Sequence, residues 1–164
     1  MARGRSTREW THVVTQLPDP RRRVLTIPYR RANPFFQAAE TVWILAGRSD
    51  AAWILPFNSQ LHKYLDQDSN NFHGAYGDRL RRWGQHRRTR PGMDRDPAHD
   101  QLAAAYDELR RDPGTRRAVV TLHHPVFDQA ETRDRPCNVA LHYMVRDGRL
   151  WATTFNRSND YILG

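Results

Sequence analysis

Lysine is nearly missing from this chain: of its 26 basic residues only Lys63 is a lysine, and the others are arginines. Guanidinium forks suit bidentate contact with phosphate or carboxylate, so a formal charge of +8 leaves phosphorylated small molecules, nucleic acid and a merely solvated surface all open. Cysteine is scarce as well. A single thiol, Cys137, excludes an internal disulfide and a cysteine-rich zinc site. It leaves a packed core residue, an intermolecular link or a reactive group. No apolar run approaches the ~20 residues of a membrane span, and MARGRSTREW has no apolar leader core, so a soluble, cytoplasmic protein is expected. The eight histidines show no metal-ligand spacing, and no metal is expected. G-x-G-x-x-G and G-x-x-x-x-G-K are missing, which leaves a dinucleotide fold and a P-loop unsupported. No low-complexity divider interrupts the 164 residues, and one domain over 1–164 is the expectation.

What is present reads as helices followed by strands. Trp10 to Leu17 and Arg23 to Tyr29 are short extended candidates, broken by Pro18, Pro20 and Pro28. Asn33-Pro34 pairs a good N-cap with a favoured first helical residue, predicting a helix through FFQAAETVWILA that stops at Gly47. Leu61 and Leu65 suggest a second amphipathic helix around Asn58 to Asp66. A basic stretch runs from Asp78 to Arg90. DQLAAAYDELRRD predicts a helix with Leu102, Tyr106 and Leu109 on one face, ended by Asp112-Pro113-Gly114. RRAVVTLH, residues 116–123, reads as a largely buried strand, and 138–146 and 149–156 as two strands joined by an Asp147-Gly148 turn. Helices packed on a mostly antiparallel sheet give an α+β domain.

Four places carry candidate chemistry. Cys137 follows Pro136 at a strand start, with Arg133 and Arg135 nearby; it is either a small buried hydrophobe or a thiolate nucleophile favoured by its cationic neighbours. Glu40 lies in an apolar helix, either on a polar strip with Gln37 and Thr41 or as a proton-handling carboxylate. Arg157-Ser158-Asn159-Asp160 follows the last strand and reads as a phosphate grip or as a surface turn. Alternation sends Arg116 and Arg117 to opposite sides at the start of their strand.

Taken in order, these pieces resemble the thymidylate synthase family, including its deoxycytidylate and cytidylate hydroxymethylases. AAETVWILAGRSD is similar to the family's glutamate helix, HGAYG to its G-x-x-Y-G turn and DPGTRRAVV to its D-P-x-S-R-R strand. RPCN resembles its P-C-H nucleophile motif, and NRSNDYILG its R-S-x-D-x-x-L-G segment. The resemblance implies that Cys137 adds to pyrimidine C6, that Glu40 organises water and proton transfer, and that Tyr76 helps remove the C5 proton. It further implies that Arg157, Ser158 and Arg3 hold the nucleotide phosphate and that Asp160 contacts the pterin. Arg116 and Arg117 would reach across a two-fold interface into a partner's phosphate site, making a homodimer the expected assembly.

The implied activity is methyl or hydroxymethyl transfer to C5 of dUMP, dCMP, UMP or CMP, with 5,10-methylenetetrahydrofolate as donor. A noncatalytic nucleotide-binding relic, or a basic nucleic-acid-binding module using residues 79–90 and Trp83, is the alternative. The tryptophan pair that usually precedes the tyrosine turn is missing from KYLDQDSNNF, Asn138 replaces the usual histidine, and Asn156 replaces the usual glutamine. The R-S-N-D wording leans toward hydroxymethylases. The catalytic domain is expected to be partial, since the base-reading segment would follow Gly164.

Overall fold

The computed structural model describes residues 8–22, 32–84, 98–129 and 131–159. Its contacts divide the chain into two units, Met1–Ala32 and Asn33–Gly164. In the first unit Trp10 to Leu17 forms no strand; the regular element among its described residues is a 3-10 turn, Pro20–Arg22. Prolines 18 and 20 offer no ladder donors, and no described segment of that unit pairs with the stretch. The second extended candidate, Arg23 to Tyr29, lies outside the described residues, as do residues 85–97 of the basic stretch and the break after it.

In the second unit, helix α1 spans Pro34–Leu45. Asn33 caps it, its side-chain oxygen accepting from the amide of Phe36 at 3.1 Å, and Pro34 occupies a position whose N–H has no helical partner anyway. The helix buries Ala39 and Trp43; the Trp43 ring meets Phe72 edge-on, with centroids 6.0 Å apart, and its indole N–H donates to the Asp50 carbonyl. Helix α2, Ala51–Ile54, completes this cluster, with Phe36, Leu61, Tyr64 and Leu65 at its edge. The segment expected as a second amphipathic α-helix is instead a 3-10 helix, Ser59–Tyr64, capped by Asn58. The element closes on an extended Leu65, and the tighter 3-10 winding still brings Leu61 and Leu65 to the core.

Helix α3, Tyr76–Arg81, docks on the C-terminal end of α1 at Gly77. A Cβ there would lie 2.8 Å from the carbonyl oxygens of Ile44 and Arg48, so only glycine permits this approach. Helix α4, Gln101–Arg111, is capped by Asp100 and buries Ala105, with Leu109 against the core. Tyr106 lies outside the expected buried face: it is exposed, with the Arg110 guanidinium over its ring. Ala105 faces the core in its place because α4 packs close to α3 and the sheet, leaving no room for a phenol.

The sheet has three antiparallel strands in the order β1 (Val119–Thr121), β2 (Asn138–Arg146) and β3 (Arg149–Asn156). Asp147 and Gly148 turn the β2–β3 hairpin with φ of +52° and +69°, both left-handed, as a primed turn requires. The ladder of β1 is shorter than expected from 116–123, and its burial alternates. Ala118, Val120 and Leu122 are buried under the helices, while Val119 and Thr121 face out. With Leu80, Ala105, Leu109, Leu141 and Tyr143 they form a second core cluster, and Ile44 packs against both clusters. The second unit is therefore α+β, with helices against one side of an antiparallel sheet. Among the described residues no helix is long and apolar enough to cross a membrane.

Candidate functional site

Cys137 ends an irregular segment, 131–137, that leads into β2. Its thiol is exposed, which removes the packed-core reading, whereas the preceding Pro136 is fully buried and anchors the backbone beside it. Hairpin register sets its neighbour. Pairing runs from Arg146↔Arg149 to Ala140↔Phe155, and continued unbroken it would oppose Cys137 with Ser158. A one-residue irregularity between Asn138 and Ala140 brings Arg157 there instead, its amide donating to the Cys137 carbonyl at 3.0 Å. The Arg157 guanidinium donates to the carbonyls of Pro136 (2.9 Å) and Arg135 (3.2 Å), and one nitrogen lies 4.0 Å from Cys137 Sγ. A fixed positive charge thus stands beside the sulfur, the setting in which a thiolate acts as nucleophile.

Tyr76 reaches the same point from α3. Its hydroxyl oxygen accepts from the amides of Cys137 (3.1 Å) and Asn138 (3.2 Å). Burial pushes the phenol upward in pKa, against the opposing pull of those two amides, so at neutral pH it keeps a proton to donate. Glu40 lies one helical turn before Ile44, whose carbonyl abuts Gly77, the residue after Tyr76. It is half-buried, has no hydrogen-bond or ion-pair partner among the described residues, and burial alone pushes its carboxyl upward. A half-buried carboxylate without a partner among the described residues is suited to proton handling.

The remaining candidates are placed differently. Ser158 is exposed, directly after Arg157. Arg117 is exposed and donates to Glu108 at 2.9 Å. Arg116 is exposed, and its side chain has no ion pair or hydrogen bond among the described residues. It lines an open hollow with Pro113, Gly114 and Arg146 at the hairpin-turn end of the sheet. Cys137 lies at the other end of β2, and the register that sets Val119 against His142 puts Arg116 level with Val145, so at ~3.3 Å per residue about 25 Å of strand separates the two. Arg3 and Asp160 lie outside the described residues.

Sequence reasoning missed the buried charges that hold this frame. Arg79 and Asp128 are almost wholly buried and form a two-pronged pair, both contacts at 2.7 Å. Arg79 also donates to the carbonyls of Leu122 and His73, tying α3 to β1 and to the turn before Tyr76. His73 Nε2 lies 2.9 Å from Asp128 Oδ1, with its ring stacked on Phe127 at 4.4 Å. Asp66 and Asp134 were also missed. Asp66 accepts from Thr132 Oγ1 and the Arg133 amide, both at 2.7 Å, and Asp134 accepts from the Gly74 amide at 2.7 Å. The usable signal was the charged run TRDRPC, in which an acid stands among the arginines that precede the cysteine.

Most of this chain, the stretch that carries these residues included, is similar to known proteins. Residues 19–164 match the family model described as thymidylate synthase. The chain belongs to the thymidylate synthase family. Among similar proteins of this family, the deoxyuridylate hydroxymethyltransferase of Bacillus phage SP01 is 40% identical over 164 residues, covering 99% of this chain and 42% of its own. That of Pseudomonas phage M6 is 37% identical over 154 residues, covering 93% of this chain and 40% of its own. That of Delftia phage PhiW-14 is 31% identical over 164 residues, covering 93% and 42%. The chain thus spans about two fifths of the length of these relatives.

Proposed function

We propose that this family member transfers a one-carbon unit to C5 of a pyrimidine nucleoside monophosphate, with Cys137 as the nucleophile at C6. The observation that carries the reading is the exposed Cys137 thiol, with the Arg157 guanidinium 4.0 Å from its sulfur and the Tyr76 hydroxyl on its amide. Addition of the thiolate to C6 pushes the ring's electron pair toward C5 and O4, making C5 the attacking carbon. Cysteine suits this role because the same sulfur can leave when the C5–C6 double bond re-forms. Tyr76, fixed over the nucleophile's backbone, helps remove the C5 proton by donating its O–H to, and so orienting, a water that takes that proton, and Glu40 holds and moves protons around the base.

The desolvated carboxylate of Glu40, without a partner among the described residues, fits a bound heterocycle whose N–H groups would satisfy it, in keeping with a folate donor. When bound, 5,10-methylenetetrahydrofolate supplies carbon at the oxidation level of formaldehyde. Glu40 and Asp160 are the residues that would face it. Completion by water yields a hydroxymethyl product, completion by hydride a methyl product. The names of the phage relatives and the R-S-N-D segment favour hydroxymethyl transfer to deoxyuridylate.

Ser158 and Arg3 join Arg157 in holding the phosphate. The distance of Arg116 from Cys137 within the chain, and a guanidinium unengaged among the described residues, favour a homodimer in which Arg116 serves the partner's phosphate; Arg117, whose Nε donates to Glu108, would join it through its terminal nitrogens. The reading is tested by tritium release from 5-tritiated dUMP, dCMP, UMP and CMP in the presence of the folate. Release is expected fastest with dUMP; no release with any of the four, from this chain and from a C-terminally extended form, refutes it.

A further inference from the structure

The segment that carries Cys137 has no regular secondary structure, so apart from the Arg157 bonds to its last three carbonyls its position depends on cross-links to residues 66–76. At its start Asp66 accepts from the Arg133 amide and from Thr132 Oγ1, which in turn accepts from the Asp134 amide at 3.1 Å. At its end Tyr76 accepts from the amides of Cys137 and Asn138. Between them, Asp134 Oδ2 accepts from the Gly74 amide at 2.7 Å, a short bond with a carboxylate acceptor. The fit there is two-sided. A Cβ on Gly74 would lie 2.7 Å from the Asp134 carbonyl oxygen and 3.0 Å from its Oδ1, so any side chain would push the segment away.

We propose that Asp134 is a positioning residue for Cys137, clamping the nucleophile segment onto the Gly74–Tyr76 turn through the Gly74 amide. The proposal rests on the reading of Cys137 as nucleophile. Gly74 meets Asp134, and Tyr76 meets Cys137 and Asn138, so the clamp and the tyrosine hold the segment at two separate points. Loss of the clamp leaves the residues before Arg135 held to this side of the site by Asp66, and Cys137, still tied to Arg157 and Tyr76, shifts relative to the base. Half-buried and desolvated, the carboxyl of Asp134 is pushed upward in pKa despite the Gly74 N–H and the nearby His73 and Arg79. A group kept at that cost is explained by the contact it makes.

The test compares Asp134→Asn, which keeps an acceptor for Gly74, with Asp134→Leu, which removes it, and Gly74→Ala, which breaks the contact from the other side. Steady-state tritium release should show Asp134→Leu and Gly74→Ala with kcat lowered about tenfold to hundredfold and nucleotide KM within about twofold. Asp134→Asn should stay within about threefold of the parent. Amide hydrogen exchange, which needs no turnover, should speed up over 132–138 in the two disruptive variants while α1 and α4 keep their protection. Should Asp134→Leu fail to fold, Gly74→Ala alone decides. The proposal is overturned if the disruptive variants keep parental kcat and exchange, if Asp134→Asn loses as much as Asp134→Leu, or if exchange rises evenly across the molecule. Full activity in Cys137→Ala would instead sink the nucleophile reading and leave the exchange result standing.

Discussion

One oxygen of Tyr76 holds the backbone of Cys137 in place, across 61 residues of sequence, by accepting from the cysteine's own amide and from that of Asn138. Tyr76→Phe removes the acceptor for both amides and the proton the phenol donates. Turnover in the tritium-release assay should fall by about 100-fold. Loss of the acceptor should lower unfolding stability by about 1–3 kcal/mol. Nucleotide affinity, read by calorimetry, should change little, since no phosphate contact is touched. Parental turnover in Tyr76→Phe would remove the residue from the proposed chemistry.

The Arg79–Asp128 pair should dominate acid stability. Burial alone would raise the Asp128 carboxyl, but the hydrogen bonds from Arg79, helped by the His124 amide, outweigh it and hold the group well below the usual carboxylate range. A depressed folded-state value means the contribution is complete above the unfolded value near 3.8 and is lost as pH falls below it toward the folded one. Asp128→Ala strands a buried guanidinium and should cost about 3–5 kcal/mol at neutral pH. Urea unfolding of parent and variant from pH 7 down to about 2.5 should show the gap narrowing only at the acid end. A gap constant with pH would contradict the assignment.

Glu40 has the opposite sign. Its carboxyl is raised by burial, so its contribution to folding is most favourable below the unfolded value near 4.5 and declines as pH rises through the higher folded one. Glu40→Gln should therefore raise the melting temperature at pH 7, with the gain fading below pH 4.5. The same change should lower turnover by about 100-fold. A variant that gains stability and keeps full turnover would return Glu40 to the solvated polar strip.

Arg116 and Cys137 are expected to act in different subunits of one site. Arg116→Ala and Cys137→Ala homodimers should each turn over poorly, and mixing them after mild unfolding and refolding should recover activity, because some heterodimers carry one intact site. Size-exclusion chromatography with light scattering checks the dimer itself. A fully active monomer, or no recovery on mixing, would place the phosphate contacts within one chain.

The elements decided by neighbours along the chain were legible from the residues alone. Asn33-Pro34 starts α1, Asp100 caps α4, and Asp147-Gly148 turns the β2–β3 hairpin with both residues left-handed, as expected. Local chemistry settles these, because a cap or a turn is satisfied within a few residues. The order of motifs also marked out the family, confirmed over residues 19–164. Where a local pattern was too short to decide, the reading slipped. Ser59–Tyr64 wound as 3-10 instead of α, and Tyr106 turned outward because close packing of α4 selected Ala105 for its inner face.

Relationships across long stretches of chain belonged to the tertiary structure. That Cys137 faces Arg157 follows from a one-residue irregularity in a hairpin, which alternation alone cannot locate. That Arg79 is buried against Asp128, 49 residues away, has no periodic signature, because burial of a charge is repaid by a partner supplied from another element. The exposure of the thiol was decided in the same way. Composition left Cys137 either packed or reactive, and the carboxylates of Asp66 and Asp134, with the Tyr76 hydroxyl, hold its segment where the sulfur meets solvent.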